Sequence, residues 1–483
     1  MPKRALLFLF SGFFIFVHAG WIKTYGEHVA VYGLWVERTS DSGYIIAGAD
    51  NDTTHNLFTS KPFGASLILV KTDSLGDTLW TKLYKDSQNS LFAWGRCIQK
   101  TADGEYIATG SGGGLWLLRL DDQGDTLWTK MVKQEYQSAD GYCVRCLEDG
   151  YVVSGQMQYE ELTFYIIRFD TTGDTLWSRS YGRGFGTTIG FSIQPAADGG
   201  FIVTGSGPEK GLWILRTDSL GDTLWTKLYK LGDPLTYDEG HSIEPTSDGG
   251  WIITGAVDYS PAEYGAIALM KIDSLGDTLW TKYYDYSAAD EDGRSVKQTP
   301  DGGFIVVATK DYSMLGKGSI WLLKTDSAGD TLWTRTYGGK LQDRGDCIQL
   351  TPDGGFIITG FTESFSPDGS KQVLLMKLDS LGLLGIAEPV TPVAPVLPLL
   401  EIDKSLGREV TLRYSNFPHG FHACIYDASG RRVDELHSSQ THGTIQWGGG
   451  RGCYGCYGCY GPGVYFIVAD RGSRQVEKVV LVK

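Results

Sequence analysis

The sequence predicts an all-β chain, a seven-bladed β-propeller of four-stranded blades followed by a small antiparallel β-sandwich. Three observations carry this. Imperfect repeats of about 50 residues fill most of the chain, a length that suits four short strands and their turns. Each repeat contains strand-like runs punctuated by Gly and Asp, with no helical period between them. The array also opens with one spare outer strand and closes with one missing.

The first element is a secretory signal, residues 1–19. Lys3 and Arg4 precede an apolar run over residues 5–17, and the small residues Ala19 and Gly20 follow. No other stretch of about 18 apolar residues occurs, so the mature chain is expected to carry no membrane span. With 43 Lys+Arg against 57 Asp+Glu and a net charge of -14, nucleic acid and anionic membrane are poor partners.

The propeller is assigned to residues 20–385. The segment Asp73-Ser-Leu-Gly-Asp-Thr-Leu-Trp80 recurs nearly unchanged, its Trp returning at Trp128, Trp177, Trp225, Trp280 and Trp333. Within a unit, strand A reads like Ser242-Ile-Glu-Pro-Thr246 and ends at a turn of the Asp248-Gly-Gly250 kind, where glycine supplies positive φ. Strand B follows as Trp251-Ile-Ile-Thr-Gly255. Strand C, as in Trp321-Leu-Leu-Lys-Thr325, enters the Asp326-Ser-Ala-Gly-Asp330 turn, and strand D is Thr331-Leu-Trp-Thr-Arg-Thr-Tyr337. Strands B and C are nearly continuous apolar runs, as expected of sheets covered on both faces.

The ends set the blade count. Trp21-Ile-Lys-Thr-Tyr-Gly26 is a strand D with no A, B or C ahead of it, and the last unit stops after the turn Asp379-Ser-Leu-Gly382. The N-terminal strand is therefore expected to complete the seventh blade and leave no open edge. An open β-solenoid, the alternative, needs no complementary ends.

These units resemble the bacterial β-propeller repeat family, with its Asp-Gly-Gly-aromatic-Ile and Asp-x-x-Gly-Asp/Asn-x-x-Trp pattern, over about residues 21–385. The resemblance implies the fold and leaves function open. The Asp-x-x-Gly turn is one residue shorter than the tryptophan-docking motif of quinoprotein propellers, and no cofactor is assigned.

Residues 386–400 read as a linker, with prolines at 389, 392, 395 and 398 that favour extended polyproline conformation and oppose sheet pairing. Beyond it, residues 401–483 carry strand-like runs at 409–414, 422–427, 444–447, 463–469 and 476–482. The strings Ile425-Tyr-Asp-Ala-Ser-Gly-Arg-Arg-Val433, Gly463-Val-Tyr-Phe-Ile-Val468 and Lys478-Val-Val-Leu-Val-Lys483 resemble the Ig-like C-terminal sorting domain of the type IX secretion system. That resemblance implies the secretion machinery as partner, a secreted or cell-surface location, and Tyr426, Asp427, Gly430, Gly463, Val464, Tyr465 and Lys483 as sorting-domain residues. The family's usual Asn-Pro-Phe is replaced here by Ser415-Asn-Phe-Pro418.

The repeated motifs read as structural. Cys97, Cys143 and Cys347 occupy the strand A position held by Ser192, Ser242 and Ser295, so a small packed residue is expected there. Cys453, Cys456 and Cys459 have metal-like spacing with Cys424 as the nearby fourth thiol, but they sit in an iterated Cys-Tyr-Gly triplet, read as a lengthened surface hairpin, and no metal is assigned. Each unit has a Lys or Arg two residues before its strand C turn, from Lys71 to Lys377, expected to pair with a carboxylate, while the Asp opening the turn accepts backbone N–H groups. No metalloprotease, serine-hydrolase or phosphate-loop motif is present.

Asymmetry resides in the B-to-C and D-to-A connections, which emerge on one face of an up-and-down blade. The candidate ligand-binding residues on that face are Trp94, Tyr136, Asp140, Tyr159, Tyr237, Asp238, Glu239, Tyr284, Tyr286, Asp290, Asp292 and Tyr312. Aromatic rings among acceptors suit a glycan or a protein segment. Three functions follow: a non-catalytic binding or scaffold propeller, a secreted glycan-processing hydrolase or lyase using loop carboxylates such as Asp290 and Asp292, or a structural adhesion component.

Overall fold

The computed structural model describes residues 20–384 apart from 27–29, 53–63, 86–92, 113, 133–137, 159–161, 183–187, 232–237, 258–264, 285–289 and 314–316, and residues 399–481 apart from 403–405, 408, 416–420, 430, 441–442, 449–462 and 470–474. The expected signal peptide, the linker prolines and the Cys-Tyr-Gly triplets lie outside the described residues. The chain divides into two units, Met1–Ile386 and Ala387–Lys483. Among the described residues no helix is long and apolar enough to cross a membrane.

The first unit is a ring of seven four-stranded antiparallel sheets. Six are consecutive meanders; in blade 5, for example, strands A to D are Asp238–Pro245, Trp251–Val257, Ala266–Ile272 and Thr278–Tyr284. Blade 7 takes strands A to C from Asp343–Leu350, Phe356–Thr362 and Gln372–Leu378, and strand D from Trp21–Tyr25. Trp21 stands opposite Lys377 and Tyr25 opposite Val373, so the first strand among the described residues closes the last blade. Strands B and C are buried almost throughout, as in Tyr106–Ser111 and Leu115–Leu120, because neighbouring blades cover both faces.

The recurring Asp-x-x-Gly-Asp-x-x-Trp segment is a latch between blades. Asp73 Oδ1 accepts the N–H groups of Leu75 at 2.9 Å and Asp77 at 2.8 Å, which fixes the C-to-D turn. The Trp, the cation and the Tyr of the preceding blade's strand D then grip that turn. Across the first two blades the Tyr84 hydroxyl donates to Gly124 O at 2.6 Å, Lys82 pairs with Asp125 at 2.5 Å, and the Trp80 ring covers Gly124. Gly124 has φ +75, and a Cβ there would stand 2.7 Å from the Trp80 ring, so both backbone and space demand glycine.

Inside each blade the cation before the turn pairs with the aspartate of the A-to-B turn: Lys71 with Asp41 at 3.0 Å, Lys324 with Asp301 at 2.9 Å, Lys377 with Asp353 at 2.7 Å, and likewise in the other four. The expected turn aspartates and their ion-paired cations are thus both scaffold.

Strand A begins earlier than the sequence pattern suggested. The residues before the small Ser or Cys, read as loop, continue the strand through a β-bulge that follows a glycine present in all seven blades: Gly33, Gly95, Gly141, Gly190, Gly240, Gly293 and Gly345. The register slips between Gly95 and Cys97, and between Gly240 and Ser242. A Cβ on Gly95 would lie 2.8 Å from Leu67 Cγ and 3.0 Å from Gly48 O of the preceding blade. Glycine therefore lets the inner strands crowd together, and the bulge turns the next side chain out of that packing.

The small residues reach the following blade. Ser192 Oγ accepts Ile243 N–H at 3.3 Å, Ser242 Oγ accepts Val296 N–H at 3.4 Å, and Cys97 Sγ donates to Val144 O at 3.7 Å. Blade 1 alone breaks this series with Trp35.

In the second unit a three-stranded sheet (Leu399–Ile402, Glu409–Ser415, Gly443–Gly448) packs on a five-stranded one (Leu406–Gly407, Gln475–Leu481, Gly463–Ala469, Phe421–Asp427, Arg432–Ser438). Val410, Leu412 and Trp447 from the first sheet meet Phe421, Ala423, Ile425, Tyr465 and Ile467 from the second, which makes a β-sandwich. Two details differ from expectation. Leu399 and Leu400, assigned to the linker, pair with Ser415 and Tyr414, because sheet pairing resumes once the last proline is passed. Arg432–Ser438 forms an edge strand that its charged outer face concealed.

Candidate functional site: the mouth of the propeller

Two positions on each strand A flank the bulge glycine, and they form two rings at the end of the central axis nearest the B-to-C and D-to-A loops. The residues before the glycine are Tyr32, Trp94, Asp140, Ile189, Glu239, Asp292 and Arg344; those after it are Leu34, Arg96, Tyr142, Phe191, His241, Arg294 and Asp346. The glycine is invariant among the repeats while the pair of residues flanking it differs in every one. Scaffold symmetry ends here.

A nearly continuous run of contacts follows the two rings. Phe361 meets Tyr32 edge-on at 5.2 Å, Tyr32 stacks on Trp94 at 5.7 Å, and the Arg96 guanidinium lies over both Trp94 (5.0 Å) and Tyr142 (4.9 Å). Tyr142 meets Phe191 at 5.2 Å and Phe191 meets His241 at 5.1 Å. The rest is ionic: His241 Nε2 to Glu239 at 3.0 Å, His241 Nδ1 to Asp292 at 2.8 Å, Asp292 to Arg294, and Arg344 Nε to Asp346 at 2.8 Å. Arg344 returns to Phe361 at 6.0 Å. Blades 1 to 4 thus supply an aromatic arc and blades 5 to 7 a charged one.

Electrostatics in the charged arc are internally settled. Burial pushes the His241 imidazole toward its neutral form, but Asp292 and Glu239 outweigh it and hold the pKa up at about 9. Burial alone would raise Asp292; Arg294 and His241 instead hold its carboxyl well below the usual carboxylate range. Three buried polar atoms, Arg96 Nε, Arg294 Nε and Asp346 Oδ2, have no hydrogen-bond partner among the described residues. Such groups are normally satisfied by ordered water or a ligand.

Below the mouth the axis is closed. Trp35 of blade 1 lies under the Arg145 guanidinium of blade 3 at 5.1 Å, a contact between non-adjacent blades that crosses the centre. Arg145 Nε also donates to Gln194 at 3.1 Å, and Lys297 pairs with Glu244 at 2.6 Å. Burial raises the Glu37 pKa against the opposing pull of Lys297 and Arg145, which places all three near one another. These contacts lay a floor beneath the mouth.

Of the twelve residues expected on this face, Trp94, Asp140, Glu239 and Asp292 line the mouth, with Asp140 accepting from Gln156 at 2.8 Å. Asp238 is instead fully buried and accepts the Leu231 N–H at 2.7 Å, a scaffold role. Tyr284 donates its hydroxyl to Gly329 O at 2.5 Å and belongs to the latch. Asp290 and Tyr312 stand opposite each other in the blade 6 ladder. Tyr136, Tyr159, Tyr237 and Tyr286 lie outside the described residues. Arg96, Tyr142, Phe191, His241, Arg294 and Asp346 were missed, although each follows the repeated glycine.

A second concavity lies on the opposite, regular face. Blade 3 has a shortened A-to-B turn in which Leu147 pairs directly with Gly150 across Glu148 and Asp149. Beside it opens a cavity of about 920 Å³, lined by residues including Asp103, Arg119, Cys146, Glu148 and Tyr151.

Among the residues expected of a sorting domain, Tyr426 and Asp427 end one strand, and Asp427 pairs with Tyr465 on the strand that Gly463 and Val464 open. Asp427 Oδ1 accepts from Ser429 N at 2.9 Å and Arg431 N at 3.1 Å, the same turn chemistry as the propeller's Asp73. Gly430 and Lys483 lie outside the described residues.

The ring of blades and its closed, loop-facing mouth define a seven-bladed β-propeller. No family model and no curated protein matches the chain. Among solved structures it is similar to a protein of unknown function from Bacteroides caccae (14% identity, 57% of this chain and 90% of that one, TM-score 0.39). It is also similar to PorZ, described as a bacterial surface component of the type-IX secretion system of Porphyromonas gingivalis (12% identity, 93% of this chain and 59% of that one, TM-score 0.43). A third is BamB from Moraxella catarrhalis (12% identity, 71% and 96%, TM-score 0.37). The match thus spans less than two thirds of the length of PorZ.

Proposed function

We propose that this protein is an exported, non-catalytic binding propeller that takes a neutral glycan at the mouth. The observation that carries this is the division of the mouth into an aromatic arc and a charged arc whose ions pair with one another. Aromatic faces suit the apolar faces of sugar rings, and paired ions offer directed hydrogen bonds without a net charge to attract an ionic ligand. Asp292 does not fit the acid of a glycosidase. A glycosidase acid needs a raised pKa, whereas Arg294 and His241 keep Asp292 ionised.

The test is a neutral-oligosaccharide array followed by calorimetry on the full chain, wild type against Arg96→Ala and Tyr142→Ala. Binding of at least one neutral glycan, weakened about tenfold or more by each variant, is expected. Unchanged affinity in both variants, or binding of charged ligands alone, overturns it.

Export rests on the sequence of both ends, a signal-like leader and a tail that resembles a type IX sorting domain. Truncation before residue 401 in the native host should leave the propeller inside the outer membrane; undiminished surface display would refute the sorting role.

A further inference from the structure

On the outer face of the second unit, the strands Phe421–Asp427 and Arg432–Ser438 form a hairpin in which His422 stands opposite His437 and Cys424 opposite Glu435. Period-two alternation puts all four side chains on one face, while Phe421, Ala423 and Ile425 turn inward to the core. Glu435 Oε1 lies 2.6 Å from His422 Nε2 and 3.0 Å from His437 Nε2, so both imidazoles aim the same nitrogen at one oxygen. The rings stack at 4.5 Å. Arg432 holds the other carboxylate oxygen, Oε2, at 2.9 Å and so orients Oε1 between the two rings. The Cys424 thiol is free, and its Sγ lies 3.9 Å from His422 Nε2.

We infer that this hairpin holds a zinc-class divalent metal ion through His422, His437 and Glu435, with Cys424 as the fourth ligand. The donor set is the nitrogen, oxygen and sulfur mixture that tetrahedral zinc takes. The His and Glu ligand atoms already lie within 4.8 Å of one another. A tetrahedral ion with ligands at about 2.1 Å needs neighbouring nitrogen and oxygen atoms roughly 3.4 Å apart, so the two His–Glu separations must each open by less than about 1 Å, while the Cys424 side chain, outside that three-residue cluster, must turn in to complete it. The site also has a mechanical role: Arg432–Ser438 is the edge strand of the five-stranded sheet, paired on one side only, and the ion would rivet it to its neighbour.

The experiment uses the full chain carrying Cys453→Ser, Cys456→Ser and Cys459→Ser, which removes competing thiols. Calorimetric titration with Zn²⁺ should give one ion per chain, and Co²⁺ should give visible d–d bands with a near-ultraviolet thiolate band. His422→Ala and His437→Ala should each weaken binding by about tenfold or more. Cys424→Ser should abolish the thiolate band and keep the d–d bands. Saturable binding that survives both histidine variants, or no binding, overturns the site; d–d bands without a thiolate band in the Cys424 chain overturn the four-ligand form.

Discussion

The hydroxyl of Tyr25 donates to the carbonyl oxygen of Gly76 at 2.7 Å, while Lys23 beside it pairs with Asp77 at 2.8 Å and the Trp21 ring covers Gly76. The N-terminal strand thus does two jobs. It completes the blade 7 ladder, and it latches blade 7 onto blade 1 with the same three side-chain types that join Trp80, Lys82 and Tyr84 to blade 2.

Deleting residues 21–25 should expose strand Gln372–Leu378 as a free edge and release that latch together. The expected outcome is a melting temperature lower by roughly 5–10 °C and concentration-dependent association in light scattering. A monomer that melts like the wild type would contradict closure.

A conservative change isolates the latch hydrogen bond. Tyr84→Phe removes only the hydroxyl that bonds Gly124 O and should cost about 1 kcal/mol in urea unfolding. Leu79 on the same strand is 54% exposed, and Leu79→Ser should be neutral within about 0.5 kcal/mol.

Trp35→Ser restores the small residue that Ser192, Ser242 and Ser295 show at this position, yet it should destabilise. It removes the ring beneath Arg145 and leaves a void at the axis, at a cost of about 3 kcal/mol by denaturant titration. A neutral result would mean that Trp35 does not floor the mouth.

His241 predicts a pH signature. Its folded pKa of about 9 lies above the ordinary 6.5, so its contribution is fully present below pH 6.5 and is lost as pH rises through 9. A shift of that size corresponds to about 3 kcal/mol. Asp292, held well below the usual carboxylate range by Arg294 and His241, stays ionised across this window, so His241→Asn should flatten the pH dependence of stability between about pH 6 and 10. Identical slopes in wild type and variant would count against the buried imidazolium.

The sequence made the fold legible because the latch residues must recur: a Trp that covers a neighbour's turn cannot be exchanged in one blade alone. Complementary ends gave the closure for the same reason. The mouth was only half legible. Trp94, Asp140, Glu239 and Asp292 drew notice as aromatic or acidic residues in a stretch read as loop, but the bulge after the repeated glycine hid the partners that follow it, such as Arg96 and His241. A bulge has no hydrophobic period to announce it. Asp238 shows the opposite error, since an acidic residue beside a variable loop can equally be a buried acceptor for backbone N–H groups.

The pairing of Trp21 with Lys377 sets the order in which the molecule can be assembled. The strand made first by the ribosome is the one needed last, because its ladder partner emerges only after six other blades. Until then the N-terminal segment must stay unpaired beside growing sheets that offer similar edges. Closing so long a loop makes ring completion the natural slow step, and mispairing with an earlier blade its natural trap.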